Sequence, residues 1–426
     1  MATDLLSCIV DLVEDSDRLQ YALRGLKVLE FGQGVAAPFC GMMLADSGAD
    51  VIKIEPPGKG DISREWAPPY VGEESAYFLS VNRGKKSIVI DLKADEGREI
   101  ALRLCSGVDV IVENFRPHAL ERLGLGYHEL AENNKKLVYC SITGYGQDGP
   151  SADDPAFDLV IQARSGLMDV TGEQGGEPVK MGVPITDIGA GMYASFAIAL
   201  ALIRRDKTGR GERIDVSLLD TAVSWLTYWI TGNKDLHDVP RKTGSAHVTI
   251  APYQLFKTID GYIAIGASTD KLWRNMCQAL GLDELLKDPR FKTNPDRVIH
   301  REELVGLLNL TISKKTESEL LTKLTAAGVP CGPLQTVEEV IEDVQVKHRH
   351  MVNEIFHPKV GRILVPGSPI KYTEQRFDLV SSPPPTFGQQ SREILREIGY
   401  GNKDVEQYIR KGIVFASAEY PIKMDN

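Results

Sequence analysis

Apolar runs alternate with amphipathic stretches along the chain from residue 26 onward. The runs "LKVLEF", "DVIKIE", "KSIVIDL", "DVIVENF" and "KLVYCSITGYG" have the pattern of strands, whereas "APFCGMMLADSGA" and "DEGREIALRLC" have helical spacing. Short continuous apolar strands separated by helices are typical of a parallel sheet that is covered on both faces. The pattern therefore predicts an α/β fold built from βαβ units.

The longest apolar run follows "GVPITDIGAG" and predicts a helix that begins near Asp187 and ends near Arg205. The next segment, "RRDKTGRGE", carries the basic last turn and the glycines that end helices. Asp187 therefore stands at the threshold of a buried helix. Its carboxylate either caps the helix by accepting backbone N–H groups, or is kept ionised there as a nucleophile.

The pattern changes near residue 236, where proline and glycine interrupt the chain, and "YQLFKTIDGYIAIGA" predicts a hairpin around Asp260 and Gly261. Since 426 residues exceed the size at which single cores stop growing, we expect a second, smaller domain from here to about residue 340. "SSPPPTFGQQ" predicts a surface linker before a last helix, and the acidic first 21 residues predict a short amphipathic helix.

Composition excludes several classes of protein. The net charge of −10 argues against a nucleic-acid partner, which would need a basic face. With 42% hydrophobic and 25% charged residues, and no apolar run expected to approach the ~18 residues of a membrane span, the sequence is typical of a cytoplasmic globular protein. The six cysteines are scattered without a C-x-x-C pair, which favours reduced packing residues and gives no zinc site.

Three groups of residues are candidates for ligand binding. Gly32, Gly34 and Ala37 match G-x-G-x-x-G/A after a strand, which indicates either a dinucleotide site or a plain tight turn. Asp158 is either a second acid near Asp187 or another helix cap. Basic residues near strand ends would favour a phosphorylated ligand, or are solvated surface cations: Lys53, Arg83, Lys85, Lys86, Lys93, Arg116 and Arg122. No G-x-S-x-G, P-loop or H-E-x-x-H motif is present in the sequence.

Six segments taken together carry a more specific signal. They are "LEFGQGVAAPFCGMMLADSGADVIKIEPPGKGD", "NRGKKSIVIDLK", "VIVENFRPHALERLGL", "VYCSITGYGQDGP", "PITDIGAGMYA" and "KTGRGERIDVSLLD". In this order they resemble the family III CoA-transferases, also called the CaiB/BaiF family, over nearly the whole chain from residue 26.

The resemblance implies a Rossmann-like large domain with a parallel sheet, an inserted smaller α+β domain and an interlocked homodimer. The expected ranges are 1–235 for the first part of the large domain, 236–340 for the small domain and 341–426 for a segment returning to the large one. It also implies a CoA thioester as substrate, with neither a metal nor a permanently bound cofactor. The nucleophile of the family falls on Asp187. The CoA-contacting positions fall on Val35, Ala36, Ile90, Asp91, Leu92, Lys93, Asn114, Phe115, Arg116, Arg122, Pro155, Ala156, Phe157 and Asp158.

Further phrases, such as "GSAHVTIAPYQLFKTIDGYI", resemble the members that use succinyl-CoA and a dicarboxylic acid, with substituted succinates left open. Arg241, Lys242 and His247 are the candidates to bind the distal carboxylate of such an acid. Gly189 and Gly191 are expected to let substrate approach the nucleophile. Racemases of the superfamily carry a histidine where this chain has Phe157, which argues against racemisation. A non-catalytic subunit of a hetero-oligomer with a paralogue is a further alternative.

Overall fold

A computed structural model describes residues 21–232, 234, 241–372 and 382–417. Within them the strands are β1 Lys27–Phe31, β2 Asp50–Glu55, β3 Tyr70–Val71, β4 Glu74–Ser75, β5 Lys85–Ile90, β6 Val110–Glu113, β7 Val138–Thr143, β8 Glu212–Ser217, β9 Tyr253–Lys257, β10 Tyr262–Gly266, β11 Cys331–Pro333, β12 Val352–His357, β13 Gly361–Pro366 and β14 Val414–Phe415. The amphipathic helix expected for the first 21 residues falls almost entirely outside the described part.

The α-helices of the described residues lie between and after these strands. They are α1 Ala36–Asp46, α2 Ala76–Val81, α3 Asp95–Cys105, α4 Tyr127–Asn133, α5 Asp158–Arg164, α6 Ile185–Thr208, α7 Leu218–Ser224, α8 Thr227–Thr231, α9 Asp270–Leu280, α10 Asn294–Ile299, α11 Arg301–Ile312, α12 Glu317–Ala326, α13 Val337–Glu342, α14 Val344–His348, α15 Ser391–Glu397 and α16 Asn402–Arg410.

The chain divides into two compact units. The first comprises the described residues up to Ser165, then Met181–Trp225, then those from Gln345 on. The second comprises Gly166–Lys180 and the described part of Leu226–Val344. Residues 166–180 and the described part of 226–235, which lie in the range expected for the large domain, thus group with the second unit. Residues 341–344, expected in the returning segment, group with it as well.

A seven-stranded sheet forms the centre of the first unit, in the order β14-β5-β2-β1-β6-β7-β8. Six strands run parallel, and β14 pairs antiparallel with β5 at one edge. The parallel strands are almost wholly buried except β8, as the continuous apolar runs predicted. Read in chain order, the parallel strands have the doubly wound order 3-2-1-4-5-6, so the winding direction reverses between β1 and β6.

Helix α6 packs closely on α1 because glycine removes a side chain at their contact. A Cβ on Gly191 would lie 2.7 Å from the carbonyl oxygen of Ala36. A Cβ on Gly189 would lie 2.2 Å from the Trp225 ring. The expectation that both glycines make room for substrate is therefore wrong: they make room for a helix and for an indole ring.

Helix α6 is also long and apolar enough to cross a membrane, with a mean hydropathy of 1.5 over an 18-residue window that is 44% buried. The expectation that no apolar run reaches that length is therefore wrong by this criterion. A core helix of a folded domain meets the same criterion, and α6 packs against α1, α7 and β7. Its last turn carries Arg205 and Lys207, and Gly209, which follows the helix with φ +70°, ends it.

The segment from residue 382 forms hydrogen bonds to the edge of β5 that does not pair with β2. Gln390 N–H donates to the Ser87 carbonyl oxygen at 3.0 Å, and Ser87 N–H donates to Gln390 Oε1 at 2.9 Å. Pro384, Pro385 and Thr386 are buried, so the predicted surface linker is packed there instead. The helix predicted after it is α15, but it is not the last, since α16 and β14 follow.

The second unit has its own core. β9 and β10 form the predicted antiparallel hairpin, and β11 joins them in a three-stranded sheet. Thr258 N–H donates to the Gly261 carbonyl oxygen at 3.0 Å and closes the hairpin loop. Helices α9 to α12 cover the sheet with apolar side chains such as Trp273, Leu308 and Leu320.

The Gly191 contact gives a test of the α1–α6 packing. Gly191→Ala should lower the stability of the first unit by about 1–3 kcal/mol, because the new methyl group must push α6 off Ala36. The control is Gly306→Ala in α11, where a Cβ meets nothing within 4 Å and should raise helix stability by about 0.5–1 kcal/mol. Calorimetric unfolding of both variants measures the two shifts, and an unchanged or raised melting temperature for Gly191→Ala would contradict the packing argument.

Candidate active site

A cavity of about 340 Å³ opens in the first unit at the carboxyl ends of the parallel strands. It lies at the point where the strand order reverses, the usual ligand crevice of such sheets. Its walls are the segments that follow β1, β6, β7 and β8, together with the first turn of α6. The lining residues are Gln33, Gly34, Val35, Ala36, Ile62, Trp66, Asn114, Phe115, Arg116, Pro117, Ile142, Thr143, Gly144, Ala152, Asp154, Pro155, Ala156, Phe157, Asp187 and Leu218.

Asp187 is half-buried in the first turn of α6 and contributes to this cavity. The helix begins at Ile185, with Pro184 as its N-cap, so Asp187 is the third helical residue. Within the described part of the chain its carboxylate accepts no hydrogen bond. The capping interpretation of Asp187 is therefore wrong, and the carboxylate remains open to the cavity.

Asp158 caps α6 instead, although it opens α5. Its Oδ1 accepts hydrogen bonds from the Thr186 N–H at 2.9 Å and from the Thr186 hydroxyl at 2.8 Å. Gln162 Nε2 donates to Asp158 Oδ2 at 2.7 Å, while Gln162 Oε1 accepts the Met181 N–H at 2.9 Å. Asp158 is thus both a cap and an acid near Asp187, and it holds the turn that carries Asp187.

The ionisation of Asp187 reflects this setting. Burial raises the pKa of the Asp187 carboxyl to about 7, and the negative charge of Asp158 adds to the rise. No hydrogen bond within the described residues offsets these effects. The carboxylate form of Asp187 is therefore less stabilised than an ordinary surface aspartate and can act as a proton acceptor or a nucleophile near neutral pH.

The structure brings together most, but not all, of the positions carried over from the resemblance. Those that line the cavity beside Asp187 are Val35, Ala36, Asn114, Phe115, Arg116, Pro155, Ala156 and Phe157. The segment Ile90 to Lys93 does not line it: Ile90 ends β5, and the next residue, Asp91, donates its N–H to the Ile413 carbonyl oxygen at 2.8 Å. Arg122 lies exposed in a short 3₁₀ turn, Glu121–Leu123, also outside the cavity. The assignment of these positions to CoA stays a prediction.

The basic residues near the strand ends do not form one ligand-binding cluster. Lys53 and Lys85 are fully buried: Lys53 Nζ lies 2.8 Å from Glu30 Oε1 and 2.7 Å from Asp61 Oδ2, and Lys85 Nζ lies 2.8 Å from Glu30 Oε2. Burial lowers the pKa of the Lys85 ammonium to about 8, although Glu30 acts against it. These two lysines are neither phosphate ligands nor surface cations, because the buried carboxylates neutralise them.

Other members of that group are also paired. Arg83 Nη2 lies 2.6 Å from Asp46 Oδ2 in a buried pair, and Lys86 lies near Asp50 and Glu393. Arg116 and Arg122 are exposed and, among the described residues, make no ion pair. Lys93 is exposed too and has no ion pair within the described residues, so these three are the cations of the group with a side chain free for an anionic ligand.

The candidates for a distal carboxylate lie in the second unit. Arg241 Nη1 lies 2.7 Å from Asp169 Oδ2, and Lys242 Nζ donates to the Gly176 carbonyl oxygen at 3.1 Å. The third candidate, His247, lies between two aromatic rings, and its Nδ1 accepts the Thr249 N–H at 3.2 Å. Their role stays a prediction.

Sequence reasoning missed several lining residues. Thr143 is the last residue of β7, and Gly144 and Leu218 directly follow β7 and β8. The rule that ligands bind at the carboxyl ends of strands would therefore have found all three. Trp66 comes from the connection after β2 and packs edge-on to Tyr77, with ring centroids 5.6 Å apart. Nothing in its sequence neighbourhood marks it as a wall of this cavity.

Metal chemistry has no evident ligand set in the described part of the chain, where no group of three or more His, Cys, Asp or Glu side chains could hold an ion. The described cysteines are unpaired: Cys40, Cys105, Cys140 and Cys277 are buried, and Cys331 is half-buried. Burial raises the pKa of the Cys105 thiol to about 12, as suits a packing residue. Cys8 lies outside the described residues.

The fold and the cavity define a doubly wound α/β protein with an open carboxylate at its ligand crevice. The chain belongs to CoA-transferase family III, whose family model matches residues 23–391, and the protein is a CoA-transferase. It is 41% identical over 397 residues to the succinyl-CoA:glutarate CoA-transferase of Homo sapiens, covering 92% of this chain and 90% of that protein.

Two further comparisons agree. The succinate–glutarate CoA-transferase of Agrobacterium fabrum is 39% identical, with 88% of this chain and 95% of that protein covered. The crystal structure of a CaiB/BaiF family protein from Brucella suis superposes with a TM-score of 0.79 at 39% identity, covering 88% of this chain and 99% of that one. The match of the first βα turn to a dinucleotide motif therefore does not indicate a dehydrogenase.

The raised pKa of Asp187 predicts a pH-dependent stability. The folded state holds a proton on Asp187 up to about pH 7, whereas the unfolded chain releases it near its ordinary value of 3.8, so stability falls as the pH rises between these values. Asp187→Asn removes this loss and should raise the free energy of unfolding at pH 8 by roughly 1–3 kcal/mol, but change it little at pH 4.5. Denaturant unfolding at both pH values measures the difference, and an equal effect at the two would exclude titration of Asp187 as the cause.

Proposed function

We propose that the protein transfers CoA from succinyl-CoA to a dicarboxylic or substituted succinic acid through an aspartyl-CoA thioester on Asp187. The printed names of the human and Agrobacterium relatives, which pair succinyl-CoA or succinate with glutarate, support this choice of donor and acceptor. The single observation that carries the proposal is the open Asp187 carboxylate at the cavity of a family III CoA-transferase.

The reaction requires no net proton transfer. The Asp187 carboxylate attacks the thioester carbonyl of succinyl-CoA, and the CoA thiolate leaves as a mixed anhydride of succinate and Asp187 forms. The thiolate then attacks the Asp187 carbonyl carbon, which releases succinate and gives the aspartyl-CoA thioester. The carboxylate of the acceptor repeats these steps in reverse, so that the acceptor leaves as its CoA thioester and the Asp187 carboxylate is regenerated.

The setting of Asp187 suits each part of this chemistry. A carboxylate without hydrogen-bond donors is a better nucleophile than a solvated one, and a cavity with few charged groups limits hydrolysis of the anhydride and thioester. The Thr186 contacts with Asp158 hold the first turn of α6, so that Asp187 has a fixed approach to the thioester.

The positions carried over for CoA fit a ligand longer than the cavity. Val35, Ala36 and Asn114 to Arg116 would contact the part of CoA nearest the thioester, and Arg122 and Lys93 are exposed cations for its phosphates. No metal or resident cofactor is part of the proposal.

Racemisation is the alternative reaction in this superfamily. It needs acid and base groups that remove and return an α-proton, and a histidine supplies one of them in the racemases. Phe157, which occupies that position, has 63% of its surface exposed and cannot transfer a proton. This observation favours transfer over racemisation.

A trapping experiment tests the nucleophile. The purified protein is mixed with succinyl-CoA, quenched, and its intact and peptide masses are measured. We expect a CoA adduct on the peptide that carries Asp187, formed more slowly as the pH falls below about 7, because the protonated acid does not attack. Asp187→Ala should form none.

The matched control is Asp154→Asn, which removes the other carboxylate among the cavity-lining residues and should still form the adduct. An adduct on another residue would show that this residue, and not Asp187, is the nucleophile. Exchange of α-protons of a CoA ester into solvent without an adduct would favour the racemase, and neither signal would favour a different donor or a non-catalytic subunit.

We also propose that the protein forms a homodimer, interlocked as the resemblance implies, with the small domain as an insertion and the cytoplasm as its location. Support for the dimer comes from α6, where Met192, Phe196, Leu200 and Ile203 follow helical spacing on one face and each has at least half of its surface exposed. A contiguous apolar helix face of this size is typical of a protein interface. The buried, unpaired cysteines support the cytoplasmic location.

Charge placed on that face should disrupt the dimer. Phe196→Glu combined with Leu200→Asp should yield monomer or aggregate, because two carboxylates would be buried without partners. Light scattering after gel filtration measures the mass. Ile299→Glu, at a separate exposed apolar residue of the second unit, is the control and should leave the dimer intact. A wild-type monomer, or assembly only with a different chain, would overturn the homodimer.

A further inference from the structure

The turn between β1 and α1 has its backbone held by buried charged side chains. Lys53 Nζ donates to the Gly32 carbonyl oxygen at 2.6 Å, and Asp61 Oδ1 accepts the Gly34 N–H at 2.9 Å. Both charged residues have no exposed surface. They also contact one another, with Lys53 Nζ 2.7 Å from Asp61 Oδ2. One ion pair thus holds the turn on both sides of Gln33.

Asn114 binds the backbone of Gln33, the residue between Gly32 and Gly34. Its Oδ1 accepts the Gln33 N–H at 2.9 Å, and its Nδ2 donates to the Gln33 carbonyl oxygen at 2.8 Å. Four successive polar groups of the backbone, from the Gly32 carbonyl to the Gly34 N–H, therefore have side-chain partners. These partners come from β2, from the connection that follows it, and from the end of β6.

Burying charged side chains costs more free energy than is required to satisfy the backbone hydrogen bonds of so short a turn. A tight glycine turn can satisfy its backbone by local bonds or by water, and buried ion pairs are often replaceable by apolar residues without loss of stability. What the charged residues add is precision, because Gly34 is held at φ +75° and leads directly into Val35 and Ala36. Those two residues are a wall of the cavity that Asp187 also lines.

We propose that Lys53 and Asp61 are positioning residues that, with Asn114, fix the Gly32–Gly34 backbone so that Val35 and Ala36 hold the CoA thioester in line with Asp187. This assignment rests on the proposed function for its effect on turnover, but not for its effect on the turn. Neither residue contacts the cavity itself, so each acts through the backbone.

Charge-balanced double variants separate positioning from ion-pair loss. In Lys53→Met/Asp61→Leu the remaining charges, Glu30 and Lys85, still pair at 2.8 Å, and the Gly34 N–H loses its acceptor. In Lys53→Met/Asp61→Asn the same pair is lost, but the asparagine carbonyl can still accept the Gly34 N–H. The two variants differ in the three hydrogen bonds that Asp61 Oδ1 accepts, one from the Gly34 N–H of the turn and two from the N–H and the hydroxyl of Ser63. The exchange rate of residues 32–36 therefore reports on the turn itself.

A second ion pair provides the matched control. Arg205 Nη1 lies 2.9 Å from Asp109 Oδ1, and Asp109 directly precedes β6, at the end of the sheet opposite to the cavity. Arg205→Met/Asp109→Asn therefore removes a partly buried pair without touching the turn.

Two measurements decide the proposal. Hydrogen–deuterium exchange of the peptide that contains residues 32–36 should become faster in Lys53→Met/Asp61→Leu and stay near wild type in the control. With succinyl-CoA as donor, kcat/KM should fall about 10- to 100-fold in the leucine variant and several-fold less in the asparagine variant, because small misplacements of a bound thioester slow attack strongly. The control should stay within about twofold.

The outcomes that count against the proposal are distinct from failure of the proposed function. Unchanged exchange, or equal kcat/KM in the leucine variant and the control, would overturn the positioning role. If the leucine variant does not fold, the same comparison with the asparagine variant decides, because the loss of the Lys53 bond to Gly32 alone should speed exchange. If the wild-type protein transfers no CoA, the proposed function fails while the exchange result still tests the turn.

Discussion

The ion pair of Lys53 and Glu30 links the two central strands of the first unit through buried charge. The two residues face each other in register on β1 and β2, and Lys85 on the adjacent β5 binds the second oxygen of the same carboxylate. The Glu30 carboxylate on β1 is thus bound by a lysine from each of two other strands of the sheet. With Asp61 the four charges balance, which makes their burial tolerable in a sheet covered on both faces.

Glu55 extends this set of charges to the segments that follow. It binds Arg64 through both oxygens at 2.7 Å and accepts the Ser87 hydroxyl at 2.6 Å. Arg64 lies over the Phe78 ring, with its guanidinium carbon 3.5 Å from the ring centroid, and donates to the Pro385 carbonyl oxygen. The sheet, the connection after β2 and the C-terminal segment are therefore joined through polar side chains as well as through the apolar core.

Much of the α/β fold could be predicted because parallel strands buried on both faces leave a clear apolar signal. The same logic, applied more strictly, would have placed Glu30 and Lys53 inside: each interrupts an apolar run of a strand that has no solvent face, so each requires a buried partner. Which partner it finds depends on strand order and register, which local sequence does not encode. The role of Gly191 likewise depends on how closely α1 approaches α6, a tertiary distance.

The site was predictable where it follows strand ends or carries a family motif, as for Asp187 and Asn114. It was not predictable where a side chain acts across elements. Asp158 begins one helix and caps another, and only the close approach of α5 to α6 joins the two. Because Asp158 caps the N-terminal end of α6, the carboxylate of Asp187 is not needed as a hydrogen-bond acceptor there. Sites of this kind commonly trade some stability for reactivity.

The antiparallel β14 has a consequence for how the chain is made. Val414 and Phe415 pair with Ile90 and Val89, some 325 residues earlier in the sequence. During synthesis the ribosome exposes β5 long before its neighbour at that edge exists, and an uncovered strand edge invites pairing with other chains. A nascent chain stalled before this point would carry an uncovered strand edge and would therefore aggregate more readily than the complete chain.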